Sequence, residues 1–164
     1  MSDNPKKPAP EGKAPPAKGK AKPINPPISD TLASSPIRHI MTRNPIYATP
    51  STTVRRAIEM MLTHSISGLP VVDDTQVCLG LYTELDAMLQ AAAQSLNSTI
   101  HYTKPPVMVM ADATFREVLI LMAQKKIKRV PIVDNRRHLM GIVSRRDLVR
   151  ALHDDTSKKE PEKK

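Results

Sequence analysis

Slid along itself by 61 residues, the chain aligns residues 45–86 with residues 106–147 without a gap, and ten of the 42 paired positions are identical. The identities include Pro70/Pro131, Asp73/Asp134, Gly80/Gly141 and Asp86/Asp147. Self-similarity at one fixed period means two copies of one supersecondary unit, each marginal alone at this length. The apolar pattern repeats even where identity fails. Val54, Ala57, Ile58, Met61 and Leu62 fall at i, i+3, i+4, i+7 and i+8, the stripe of an amphipathic helix. Phe115, Val118, Leu119, Met122 and Ala123 repeat these offsets, and Thr114 with Glu117 three residues on supplies a capping-box start.

Each copy therefore reads as β-α-β-β-α. A short extended segment (residues 46–48; 107–109) precedes the first helix. An apolar run follows (69–73; 130–134), whose proline belongs at the strand start, where no ladder donor is needed. A polar turn (74–76; 135–137) leads to a second strand (77–82; 138–143). The last helix opens at Thr83 or Ser144 and carries Leu85, Met88 and Leu89, or Leu148, Val149 and Leu152. The two units are expected to pack their sheets into one core.

Composition sets the limits of this folded part. Nine of the 16 prolines lie within the first 36 residues, in a lysine-rich stretch almost without large apolar side chains. Such a segment buries too little surface to offset its ordering entropy. Four segments are expected: a disordered arm over 1–35, repeats over 36–97 and 98–153, and a charged disordered tail over 154–164. The start of the chain lacks the apolar core of a signal peptide, and no run is long enough to span a bilayer. Cys78 is the lone cysteine, without a disulfide or metal partner, and a cytoplasmic location is expected.

The net charge of +9 is spread unevenly. The first repeat has four arginines against five acids; the second has eleven basic residues against four acids. Three tyrosines and one phenylalanine are the whole aromatic supply, too few for stacking on bases, so nucleic acid is not the expected partner. A compact anion fits the basic repeat better. The helix starts make the contrast local. Ser144 and Asp147 form a capping box, yet Arg145 and Arg146 sit in the first turn, the wrong charge for the positive end of a helix dipole. The counterpart, Thr83 to Asp86, keeps the cap and has Glu84 and Leu85 instead. Lys128 and Arg129 likewise replace Ser67 and Gly68. Convergent cations at a helix start suit a phosphate. A solvated basic face, or a patch for an acidic partner, is the alternative.

No nucleophile elbow, P-loop, acid pair or metal cluster is legible, so no enzyme is expected and no cofactor or metal is required. Glu59 and Glu117 have solvent or cap roles. The five histidines show no ligand spacing, Tyr47 reads as a half-buried strand residue, and the methionines, Met41, Met60, Met61, Met108, Met110, Met122 and Met140 among them, read as core filling.

Residues 37–153 resemble the CBS domain family, named for cystathionine β-synthase and normally found in tandem as a Bateman module. Each copy has the lead-in MTRNP or YTKPP, the amphipathic helix, the hPhVD strand, and a closing G-h-h-[ST]-x-x-D, here GLYTELD and GIVSRRD. The resemblance implies an α/β (α+β) fold in which the two β-α-β-β-α repeats pack through their sheets as a pseudo-two-fold pair. It implies a stand-alone regulatory module that binds an adenosine-containing ligand, an adenine nucleotide such as AMP, ADP or ATP, between the repeats. A homodimer and an effector protein encoded elsewhere are implied as partners. Carried over by motif, the nucleotide site comprises Ser144, Arg145, Arg146, Asp147, Lys128, Arg129, Val130, Pro131, Thr42 and Ile46. A weaker second site comprises Thr83, Asp86, Leu69 and Pro70. The aspartates would accept from ribose hydroxyls, and Ser144 would lie near the phosphate. A ligand-independent dimeric scaffold, or nucleic-acid binding through the basic repeat and the lysine-rich arm, are the competing readings.

Overall fold

The computed structural model describes residues 28–104 and 107–157. Most of the expected arm and the end of the expected tail lie outside these residues. In chain order the elements are α1 (Asp30–Ser34), β1 (Thr42–Arg43), α2 (Val54–Thr63), β2 (Gly68–Val72), β3 (Cys78–Thr83), α3 (Glu84–Ala93), β4 (Val109–Met110), α4 (Phe115–Gln124), β5 (Arg129–Val133), β6 (Leu139–Ser144) and α5 (Arg145–Ser157). The mixed α+β class and the repeated unit are as expected. Among the described residues no helix is long and apolar enough to cross a membrane.

Helix starts follow the sequence signals. The Thr114 and Thr83 side chains each accept from the backbone N–H three residues on, and Glu117 and Asp86 return the bond to the cap residue. The Thr114 N–H, 2.7 Å from the Glu117 carboxylate, and then the Thr114 hydroxyl hold that carboxyl below its usual range.

The hairpins β2–β3 and β5–β6 are antiparallel, each with one irregularity at equivalent positions. Each repeat then gives its lead-in segment to the other. β1, in the lead-in of repeat one, pairs with β6, aligning Thr42 with Ile142. Thr103, in the lead-in of repeat two, pairs with Leu81 on β3. The sheets also meet edge to edge. Cys78 N–H donates to the Arg137 carbonyl (2.9 Å), and Leu139 N–H donates to the Gln76 carbonyl (3.0 Å), around the Val77–His138 bridge. The pseudo-two-fold axis passes there.

Several expectations are corrected. There are two cores rather than one: Phe115, Val118, Met122, Val130, Ile132, Val143 and Leu148 form one, and Ala57, Met61, Leu69, Val71, Tyr82 and Ala87 the other. Each is closed by a residue from the start of the other repeat, Ile37 and Ile100 respectively. Residues 28–35, assigned to the disordered arm, include α1, whose Leu32 packs with Ile28 on the Phe115 core while Ser29 N–H donates to Asp155 (3.1 Å). Residues 154–157, assigned to the tail, are the last turn of α5. Pro70 and Pro131 are the third residues of their strands. Pro70 is tolerated because its backbone faces away from β3, where its carbonyl accepts from Ala48 N–H (2.8 Å) and no donor is used. Of residues 46–48 only Ala48 bridges a strand; Ile46 and Tyr47 are exposed, and the Tyr47 hydroxyl accepts from Gln76 (3.3 Å). Met110 and Met140 are exposed rather than core.

One part of the apolar pattern is not consumed by the fold. Leu62 on α2 and Leu85, Met88 and Leu89 on α3 are 62–75% exposed, and Val149 on α5 is 63% exposed. Helical periodicity marks an apolar face but not what covers it.

Candidate functional site: two clefts between the repeats

Because the lead-ins are exchanged, each capped helix start faces a segment belonging to the other repeat. The larger cleft, about 600 Å³, lies between the start of α5 and the lead-in of repeat one. Its walls carry Thr42, Ile46, Lys128, Arg129, Ser144, Arg145, Arg146 and Asp147. Residues scattered from 42 to 147 thus converge on a cavity within the size range of small-molecule sites. The smaller cleft, about 390 Å³, lies at the start of α3 and carries Thr83, Asp86, Glu84, Ser67, Lys126, Lys128 and Arg129. Val130, Pro131, Leu69 and Pro70 do not line either cleft. They are buried in the middle of β5 and β2, behind the cleft walls.

The two aspartates are arranged alike. Ser144 donates to Asp147 Oδ2 through its N–H (2.7 Å) and its hydroxyl (2.6 Å). Thr83 donates to Asp86 Oδ2 in the same way, at 2.8 and 2.6 Å. Both caps use a single carboxylate oxygen, so Oδ1 lies outside the cap and a carboxylate has capacity for vicinal hydroxyls there. Capping and ligand binding are therefore compatible in one residue.

The electrostatics differ. The larger cleft presents Arg145 and Arg146 beside Lys128 and Arg129, and Arg145 is steadied by donation from Nε to the Ile127 carbonyl (2.9 Å). The smaller cleft has Glu84 where the larger has Arg145. Arg129 is the exceptional cation. It is buried, its Nη2 donates to Ser67 Oγ of the other repeat, and among the described residues it forms no ion pair. Burial pulls its pKa below the ordinary arginine value, against the attraction of the Glu84 carboxylate.

His64, Asn44 and Ser65 in the larger cleft, and Lys126 in the smaller, carry no motif or spacing that marks them as lining residues. Ser65 and Lys126 share one signal, a left-handed backbone just after the first helix of each repeat (φ 51° and 55°). Among the described residues no group of three His, Cys, Asp or Glu side chains could hold a metal ion.

Comparison with known proteins agrees with this architecture. The chain is 34% identical over 112 residues to an inosine-5'-monophosphate dehydrogenase of Methanocaldococcus jannaschii, covering 68% of this chain and 22% of the dehydrogenase. It is 35% identical over 117 residues to the protein YlbB of Bacillus subtilis, covering 68% of this chain and 78% of YlbB. The crystal structure of CBSX2 in complex with AMP superimposes with a TM-score of 0.64 at 25% identity, covering 74% of this chain and 98% of that one. The CBS domain itself matches twice, over residues 37–92 and 98–154. The chain belongs to the CBS domain family and carries two copies joined as a pair.

Proposed function

We propose that this pair is a regulatory module that binds an adenine nucleotide of the AMP, ADP or ATP class in the larger cleft. The phosphate lies at the start of α5 against Arg145 and Arg146, and the ribose hydroxyls bond Asp147 Oδ1. The observation that carries this reading is the asymmetry between otherwise matched caps. Thr83–Asp86 caps α3 without basic residues, so capping does not account for Arg145 and Arg146. CBSX2, which shares the fold, was crystallised with AMP. Ligand gripped between segments of both repeats stabilises one relative arrangement, and an effector protein responds to that shift in population.

Calorimetry of the full chain against AMP, ADP, ATP and S-adenosylmethionine tests the reading. A saturating nucleotide at a hundredfold excess over Kd should stabilise the fold by about 2.7 kcal/mol. Asp147→Ala should weaken AMP by about tenfold or more, through the loss of charge-assisted bonds to ribose. Absence of binding by every nucleotide sinks the reading and favours a ligand-free scaffold.

The module is also proposed to act as a homodimer that covers the apolar face of α2 and α3. Met88→Asp should then yield a monomer in sedimentation equilibrium. A parent chain that is already monomeric at high concentration contradicts this.

A further inference from the structure

The two clefts are not independent cavities. Ser67, Lys128 and Arg129 line both. Arg129 and Gly68 occupy equivalent positions in the two repeats, and there the pseudo-symmetry is broken in a specific way. A Cβ on Gly68 would lie 2.6 Å from Arg129 Nη1 and 2.9 Å from the Tyr82 carbonyl. The first repeat thus leaves open the space that the second repeat's guanidinium fills. Arg129 reaches across the axis, donates to Ser67 Oγ and stands between the cavities. Each repeat does not bring its own arginine; one arginine serves two clefts.

A buried guanidinium is normally matched by a carboxylate or phosphate. Among the described residues Arg129 has one hydrogen-bond acceptor, the neutral Ser67 hydroxyl, and no ion pair, with Glu84 attracting it only at longer range, so most of its five donors can turn to an anion. An anion in either cleft draws on this group and on Lys128. A second anion would find those cations already neutralised and would face a like charge across a shared wall. Only the larger cleft has further cations of its own at its helix start, Arg145 and Arg146. The smaller has Glu84 there and Lys126 as its additional cation.

We infer that the clefts compete for phosphate-bearing ligands through Arg129, so that one AMP occupies the chain at a time, in the larger cleft first. This rests on the nucleotide reading above and adds to it a regulation: a ligand in the smaller cleft expels phosphate from the larger.

Titration calorimetry with AMP on the full chain decides it. The parent should bind one AMP per chain. Asp86→Ala should still bind one AMP per chain, in the larger cleft. Asp147→Ala should still bind one, now in the smaller cleft, weaker by about tenfold or more. Adding Arg129→Gln should weaken AMP in both single-aspartate backgrounds, because both clefts use that guanidinium. Thermal melts of each variant establish that it is folded. Two AMP molecules per parent chain would overturn the inference, as would an Asp147→Ala variant that binds none. An effect of Arg129→Gln in one background alone would also overturn it. A parent that binds no AMP refutes the nucleotide reading itself and this inference with it.

Discussion

Reversing both charges at the start of α5, Arg145→Glu with Arg146→Glu, should abolish AMP binding in the larger cleft, leaving only the weaker binding of the smaller one, with the fold as stable as before or slightly more so. The two effects have separate causes. Each arginine offers a charge-assisted hydrogen bond worth about 1.5–3 kcal/mol, so losing both reduces the affinity of the larger cleft by at least roughly a hundredfold. For the helix, an acid in the first turn replaces a base beside the positive end of the dipole, a gain of about 0.3–1 kcal/mol per site at an exposed position. The lost donation from Arg145 Nε to the Ile127 carbonyl offsets part of that gain. Calorimetry reads the first effect and thermal melting the second. Unchanged affinity would mean that the phosphate lies elsewhere; a collapse in Tm would mean that the arginines are structural.

The largest expected loss of stability comes from Phe115→Ala. Phe115 opens α4, is fully buried, and packs in the core with Ile37, Val118, Met122 and Leu148. Its N–H donates to the Ser35 carbonyl (2.8 Å), so the same residue anchors the segment preceding repeat one. Truncation should cost about 3–5 kcal/mol, the lost transfer energy together with the cavity left behind. That corresponds to a fall in Tm of roughly 10–20 °C. The equivalent Val54→Ala in repeat one, also fully buried, removes fewer buried atoms and should cost less. A Phe115→Ala protein that melts within a few degrees of the parent would contradict the packing described.

The pattern of success and failure in the sequence follows the range of the interactions. Helix starts at Thr83, Thr114 and Ser144 were legible because a capping box is complete within four residues. The repeat was legible because two copies share one pattern. The contact of Arg129 with Ser67 was not, since it joins residues 62 apart and depends on Gly68 being empty. Nor did the sequence show that each lead-in crosses to the other sheet, although the notion that Thr42 and Ile46 meet Ser144–Asp147 required it. Composition misplaced the boundary at residue 35. Ile28, Leu32 and Ala33 are the only apolar residues in 28–35, yet with the hydrogen bond from Ser29 to Asp155 they hold α1 on the Phe115 core. Periodicity misjudged Leu62, Met88 and Leu89 in the opposite sense, because an apolar face is the same in sequence whether or not this chain covers it.

The central claim, that the larger cleft holds a nucleotide phosphate at the start of α5, is tested most directly by a crystal structure of the full chain grown with one equivalent of AMP. The phosphate should lie within hydrogen-bonding distance of Arg145 or Arg146, with a ribose hydroxyl on Asp147. A phosphate found at Thr83 and Glu84, with the larger cleft empty, would contradict it.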